Sequence, residues 1–206
     1  MLIKVCGLTR YEDVEFCDNF GIDFVGFIFY KKSPRCIDTN FVKNIRCKNS
    51  LKVGVFVDHA VDDILDIYNE AKLDLVQLHG DYSIKDVEKI GKNRSIKVLW
   101  PDSCQNKIDF FNQVKIYVDI CKYILIDSGK SGGGHGKSIK NIEWLKELSN
   151  DINWFLAGGI TYDNIDNMLK NVKPIGLDIN SGVEVRAGIK DLKKIELFYN
   201  KIKELS

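Results

Sequence analysis

Proline and histidine are scarce in this chain, with three of each among 206 residues. Pro34, Pro101 and Pro174 lie far apart, and no linker-like stretch divides the sequence. One domain over residues 1–206 is therefore expected. His59, His79 and His135 show no ligand spacing, which argues against a metal site. The six cysteines at 6, 17, 36, 47, 104 and 121 include no CxxC pair. They read as reduced thiols, most of them packing as small hydrophobes. Neither sign of charge dominates: the net charge is +1, with 29% charged and 45% hydrophobic residues, an ordinary globular balance. Nothing here pulls the chain toward nucleic acid or an anionic membrane. No apolar run approaches the length that spans a bilayer, and MLIKVCGLTR at the N-terminus lacks a signal-peptide core and cleavage site. These absences set the expectation of a cytoplasmic protein with no nucleic-acid or membrane partner.

What the chain has is rhythm. Eight short apolar runs recur along it: Leu2–Cys6, Phe24–Phe29, Lys52–Val57, Leu73–Leu78, Ile96–Trp100, Tyr123–Ile126, Trp154–Ala157 and Pro174–Ile179. Each has strand length and is rich in β-branched or aromatic residues. Helical signals lie between them. Thr9-Arg10-Tyr11-Glu12 reads as a capping box ahead of Val14 and Cys17. Ile64, Leu65, Tyr68 and Ala71 fall on one face, and Ser83 opens a weaker signal through Ile90. Further patterns cover Phe110 to Cys121, Ile142 to Leu148, Thr161 to Val172, and Leu192 to Ile202. Eight strand–helix units predict a parallel α/β fold. An open doubly wound sheet is compatible, but a single-domain (β/α)₈ TIM barrel explains the count better.

In such a barrel the chemistry sits beyond the C-terminal ends of the strands. Those positions hold Cys6-Gly7-Leu8-Thr9, Ser33-Pro34-Arg35, His79-Gly80-Asp81, Asp127-Ser128, Gly158-Gly159, and Asp178 with Asn180-Ser181-Gly182. A thiol, a guanidinium, an imidazole and carboxylates thus collect at one end. Gly158 and Gly159 after strand 7, with Ser181 and Gly182 after strand 8, suit a phosphate, because glycine lets backbone N–H groups approach closely. Closure would also place Cys6 and Asp127 three strands apart, facing across the mouth. After strand 6, SGGGHGKS (residues 131–138) approaches a nucleotide-binding loop. Gly136-Lys137-Ser138 fit that pattern, but Ser131 stands where the first glycine is required.

Taken in order, Lys4-Val5-Cys6-Gly7-Leu8-Thr9, Gly26-Phe27-Ile28-Phe29, Ser33-Pro34-Arg35, Val53-Gly54-Val55-Phe56-Val57, Val76-Gln77-Leu78-His79-Gly80, Leu156-Ala157-Gly158-Gly159 and Ser181-Gly182-Val183-Glu184 resemble the N-(5′-phosphoribosyl)anthranilate isomerase family of tryptophan biosynthesis. The resemblance spans nearly the whole chain. It reassigns residues 128–138 to that family's glycine-rich loop after strand 6, with departures at His135, Ile139, Asn180 and Ala187.

The resemblance implies an Amadori rearrangement of a small-molecule phosphosugar substrate, with no cofactor and no metal. It implies Asp127 as general acid and Cys6 as general base. Arg35 is implied as the partner of the anthranilate carboxylate, where a planar fork suits bidentate binding. His79 is expected at the substrate without an assigned role, and Asp178 as a site-lining or structural residue. A thiol with the usual pKa near 8.5 is only partly ionised at neutral pH, and a nearby helix N-terminus could lower that value. A monomer or homodimer is compatible with all of this. Three rivals are weaker. The histidine-pathway isomerase is similar but carries a carboxylate after strand 1, where Cys6 stands. A silent phosphosugar-binding barrel needs neither Cys6 nor Asp127. An ATP-binding protein is disfavoured by Ser131.

Overall fold

The structure is a computed structural model, and it describes residues 1–128, 140–170 and 172–205. Eight parallel strands close into a barrel: β1 (Leu2–Val5), β2 (Phe24–Ile28), β3 (Leu51–Phe56), β4 (Leu75–Leu78), β5 (Ser95–Leu99), β6 (Tyr123–Ile126), β7 (Trp154–Leu156) and β8 (Gly176–Ile179). The barrel therefore replaces the open-sheet alternative. Closure is made by β1 on β8, in the register Leu2↔Gly176, Ile3↔Leu177, Lys4↔Asp178 and Val5↔Ile179.

The strands read as apolar runs because both faces are covered, as parallel sheets require. One parity points outward. Ile3, Val5, Val25, Phe27, Phe56, Val76, Ile124, Ile126, Leu177 and Ile179 pack with helix residues such as Val14, Ile64, Val87, Phe110 and Phe198 in one buried cluster. The other parity points inward. Phe24, Val53, Leu75, Ile96, Leu125 and Phe155 form a second cluster that fills the barrel. Cys6, Ile28 and Val55 make a third, smaller cluster.

Seven α-helices are described: α1 (Tyr11–Phe20), α2 (Thr39–Lys43), α3 (Val61–Ala71), α4 (Ile84–Ile90), α5 (Lys107–Val118), α6 (Ile165–Leu169) and α7 (Leu192–Leu205). In α7 the buried residues Ile195, Phe198 and Ile202 recur at the spacing of one helical face. The weak signal at Ser83 becomes a full capping box with Asp86 at the start of α4. The capping box expected at Thr9 does not form: Arg10 is the N-cap residue without a side-chain cap, and the Thr9 hydroxyl instead donates to the Gly188 carbonyl. Three further features depart from the expectation. Ile142–Glu147 is a 3₁₀ turn, α6 is only five residues long, and α2 is an element the patterns did not mark. An antiparallel hairpin, β9 (Glu184–Arg186) with β10 (Ile189–Lys190), follows β8 and was likewise unmarked.

Inside the barrel, Phe155 lies edge-on to Phe24 and Tyr123, with ring centroids 5.5 and 5.3 Å away. Phe155→Ala should therefore cost about 3–5 kcal/mol, the usual range for a buried aromatic truncated in a core. Urea denaturation of the two proteins measures this. A loss below about 1 kcal/mol would mean the interior refills, which close-packed cores do only partially.

Candidate active site

Cys6 follows β1 and keeps the inward parity of Leu2 and Lys4. It is buried, with 5% of its surface exposed. Burial pushes its thiol above the ordinary value, and Lys4 is the strongest opposing influence. The next helix along the chain, α1, begins at Tyr11. Lys4 supplies the positive charge. Its ammonium is buried and sits 2.9 Å from Asp178 Oδ2.

Asp127 follows β6. Burial pushes its carboxyl up to about 6, with Asp178 adding to the rise and the Ser128 amide opposing it. That amide donates to Asp127 Oδ1 at 2.6 Å. His79, after β4, brings Nε2 to 3.5 Å from Asp127 Oδ2 and packs edge-on against Trp100. The chain turn that accommodates Asp127 depends on Gly158, whose φ is 90°. A Cβ there would lie 2.5 Å from Ser128 Oγ and 2.7 Å from Asp127 Oδ1. The loop bearing Gly158 and Gly159 also meets the one bearing Ser181 and Gly182. A Cβ on Gly182 would fall 2.0 Å from the Ile160 carbonyl oxygen. The four residues expected at a phosphate thus belong to two loops in direct contact.

Arg35 reaches the same end of the barrel, but its fork is occupied. Nε and Nη2 donate to Glu184 Oε1 and Oε2 at 2.8 and 2.6 Å, with both side chains buried. Lys190 Nζ adds a bond to Glu184 Oε1 at 2.9 Å and another to Asn180 Oδ1 at 2.8 Å. Burial acts to raise the Glu184 pKa, but Arg35 and Lys190 together hold it below the usual range.

This geometry has relatives. A family profile described as N-(5′phosphoribosyl)anthranilate (PRA) isomerase matches residues 3–201. The N-(5′-phosphoribosyl)anthranilate isomerase of Maridesulfovibrio salexigens is 39% identical over 195 residues, covering 95% of each chain. The chain belongs to the N-(5′-phosphoribosyl)anthranilate isomerase family. Among solved structures, phosphoribosyl anthranilate isomerase from Thermotoga maritima superposes with a TM-score of 0.86 at 32% identity, covering 99% of this chain and 100% of that one. Another, a phosphoribosyl anthranilate isomerase in complex with reduced 1-(o-carboxyphenylamino)-1-deoxyribulose 5-phosphate, gives a TM-score of 0.80 at 30% identity, with 99% and 100% coverage.

Within this isomerase the barrel mouth gathers Cys6, Asp127 and His79, and Arg35 beside Glu184. The glycine-rich loop, with His135 and Ile139, lies outside the described residues. Among those described, no helix is long and apolar enough to cross a membrane. Sequence reasoning gave no role to Lys4, Glu184 or Lys190, and left Asp178 undecided. A signal for Lys4 existed: it stands two residues before Cys6 in an apolar strand, so it shares that face.

Gly158→Ala should displace Asp127 and strain the turn. Misplacing a reacting group by about 1 Å can cost roughly 10²-fold, so kcat should fall by that order while circular dichroism stays unchanged. Wild-type kcat in the folded variant would mean that Asp127 tolerates the shift and is not held by this contact.

Proposed function

We propose that this chain converts N-(5′-phosphoribosyl)anthranilate into 1-(o-carboxyphenylamino)-1-deoxyribulose 5-phosphate by acid–base catalysis between Asp127 and Cys6. The observation that carries the reading is a carboxyl group raised to about 6 and a buried thiol placed at one barrel mouth over a single ion pair. The neutral Asp127 carboxyl gives its proton to the furanose ring oxygen, and the ring opens to an imine. The Cys6 thiolate takes the proton from C2. The enolamine so formed tautomerises to the ketone. The loops of Gly158, Gly159, Ser181 and Gly182 hold the phosphate. Arg35 meets the anthranilate carboxylate from the guanidinium edge turned away from Glu184, and His79 lines the site beside Asp127. The oxidation at C2 and the reduction at C1 cancel within the substrate and nothing is hydrolysed, so the reaction calls on no cofactor. Purified protein should extinguish the fluorescence of freshly made N-(5′-phosphoribosyl)anthranilate with nothing else added. Persistent fluorescence at high enzyme concentration would overturn the reading.

The two groups titrate in inverted order, because the acid ionises near pH 6 and the base above the ordinary thiol range. The active form, with Asp127 protonated and Cys6 ionised, is then a minor tautomer of the singly protonated pair. Its abundance is level between the two pKa values and falls outside them. The plot of kcat/KM against pH should therefore rise through about pH 6, stay flat, and fall only in the alkaline thiol range. Asp127→Asn should lose roughly 10²–10⁴-fold. Its residual activity should have no step near pH 6 and should climb through the thiol range. A step near pH 6 that survives in Asp127→Asn would assign that limb to another group.

Arg35 generates a separate expectation. Arg35→Ala should lower kcat/KM by roughly 10–100-fold, because each 1.4 kcal/mol of a charge-assisted pair is about tenfold. The phosphoribosyl adduct of aniline lacks the carboxylate and should be turned over about equally by both proteins. Equal damage to both substrates would place Arg35 in the loop's structure instead.

A further inference from the structure

We propose that Lys4 is the positioning residue for the thiol of this isomerase: its buried ammonium, locked in place by Asp178, stabilises the minor thiolate form of Cys6 that abstracts the proton. The proposal rests on the reading of Cys6 as the base, and it begins from an anomaly in the barrel interior. Lys4 is 1% exposed, and lysine is almost never buried so completely without a partner. Register supplies the partner, since Lys4 pairs with Asp178 across the β1–β8 seam and their side chains meet at 2.9 Å. Such pairs seldom stabilise a core more than apolar residues of the same volume. Below this level the interior is apolar, with Leu2, Phe24, Val53 and Phe155. Closing the barrel therefore does not call for a cation here.

The thiol does call for one. On β2 the facing residue is Gly26. A Cβ placed on it would lie 2.9 Å from Cys6 Sγ and 3.2 Å from Lys4 Nζ. The sulfur and the ammonium thus share the space above one glycine, with no side chain between them. An opposite charge at such range favours the ionised thiol.

The other charged groups around Cys6 are Asp178 on β8, Lys190 on β10, Arg35 after β2, and Asp127 across the mouth. Arg35 and Lys190 are both bound to Glu184. Glu184 offsets one of their two charges, and Lys190 Nζ is further tied to Asn180 Oδ1. Lys4 differs, because Asp178 engages it through Oδ2 alone, and Asp178 Oδ1 accepts no hydrogen bond among the described residues. One ammonium is divided between a carboxylate and a thiol, so the two acids compete for it.

Competition predicts opposite effects from its two members, which a merely structural role would not. The measurement is the rate of Cys6 alkylation by iodoacetamide against pH, read from the mass of the Cys6 peptide so that the other five thiols do not interfere. Lys4→Met should move the Cys6 titration to higher pH. At neutral pH, alkylation and kcat should then fall together, roughly tenfold for every pH unit the titration moves, with KM little changed. Asp178→Asn should move the titration to lower pH, because the ammonium then serves Cys6 alone. Lys4→Met leaves Asp178 buried without a counter-ion, so the double variant Lys4→Met/Asp178→Asn provides a neutral interior that folds more readily. Its Cys6 should titrate above that of Asp178→Asn. The proposal fails if Cys6 titrates alike with and without Lys4 in both backgrounds, or if the two single variants shift it the same way. Full activity in Cys6→Ser would overturn the assignment of the base itself, whatever the alkylation curves show.

Discussion

The seam between β1 and β8 is the constraint on which the site depends. Until these strands pair, residues 2–5 and 176–179 form the two edges of an open sheet. Pairing them removes both edges and encloses every inward side chain. It also brings Lys4 against Asp178, which are 174 positions apart in the chain. Enclosure makes the electrostatics severe. A charge in this interior has little water, so each one has to be answered by a neighbour. The Lys4–Asp178 pair is thus a consequence of closure, and in the closed barrel removing one partner would strand the other. Register and charge pairing specify the same arrangement, and such agreement between levels is what favours a single fold.

Much of this was visible in the residues and some could not be. The eight strands were legible because parallel strands, covered on both sides, leave nearly unbroken apolar runs. Their ends shifted by a residue or two, as at Leu75–Leu78 where the run began at Leu73. Thr9 illustrates the opposite case. Its sequence context suits a capping box, yet the hydroxyl serves Gly188, which lies 179 residues away. No local pattern carries that competition. The β9–β10 hairpin was missed for a related reason: its five described strand residues are too few for a periodicity to show.

The site divides along the same line. Cys6, Asp127 and His79 were legible as chemistry-bearing residues at strand ends. The partner of Arg35 was not, because Glu184 is 149 positions away. Lys4 was hidden differently. An apolar strand with one lysine looks like a half-exposed strand, and only the inward parity it shares with Cys6 marks it as enclosed. Cys6 shows the electrostatic side of the same limit. Burial raises its pKa, and the strongest depressing influence is a side chain two positions away.

The charge balance of the mouth links these observations to the proton. The ion-pair clusters of Asp178 and Glu184 at the mouth set three buried cations, Lys4, Arg35 and Lys190, against those two carboxylates. One positive charge is left over. That surplus can balance a single further anion, on either Asp127 or Cys6. Ionising both would leave a net negative charge in a poorly hydrated space, which burial opposes. Protonating both would leave the surplus cation unanswered. The pair is therefore held most readily with one proton between them, and the working form differs from the resting one only in which of the two carries it. A reaction that both donates and removes a proton suits that condition, because the substrate can take a proton from one member and return one through the other while the charge of the site stays constant. Preorganised ion pairs that need not rearrange during the transfer are the kind of environment in which charge movement is inexpensive.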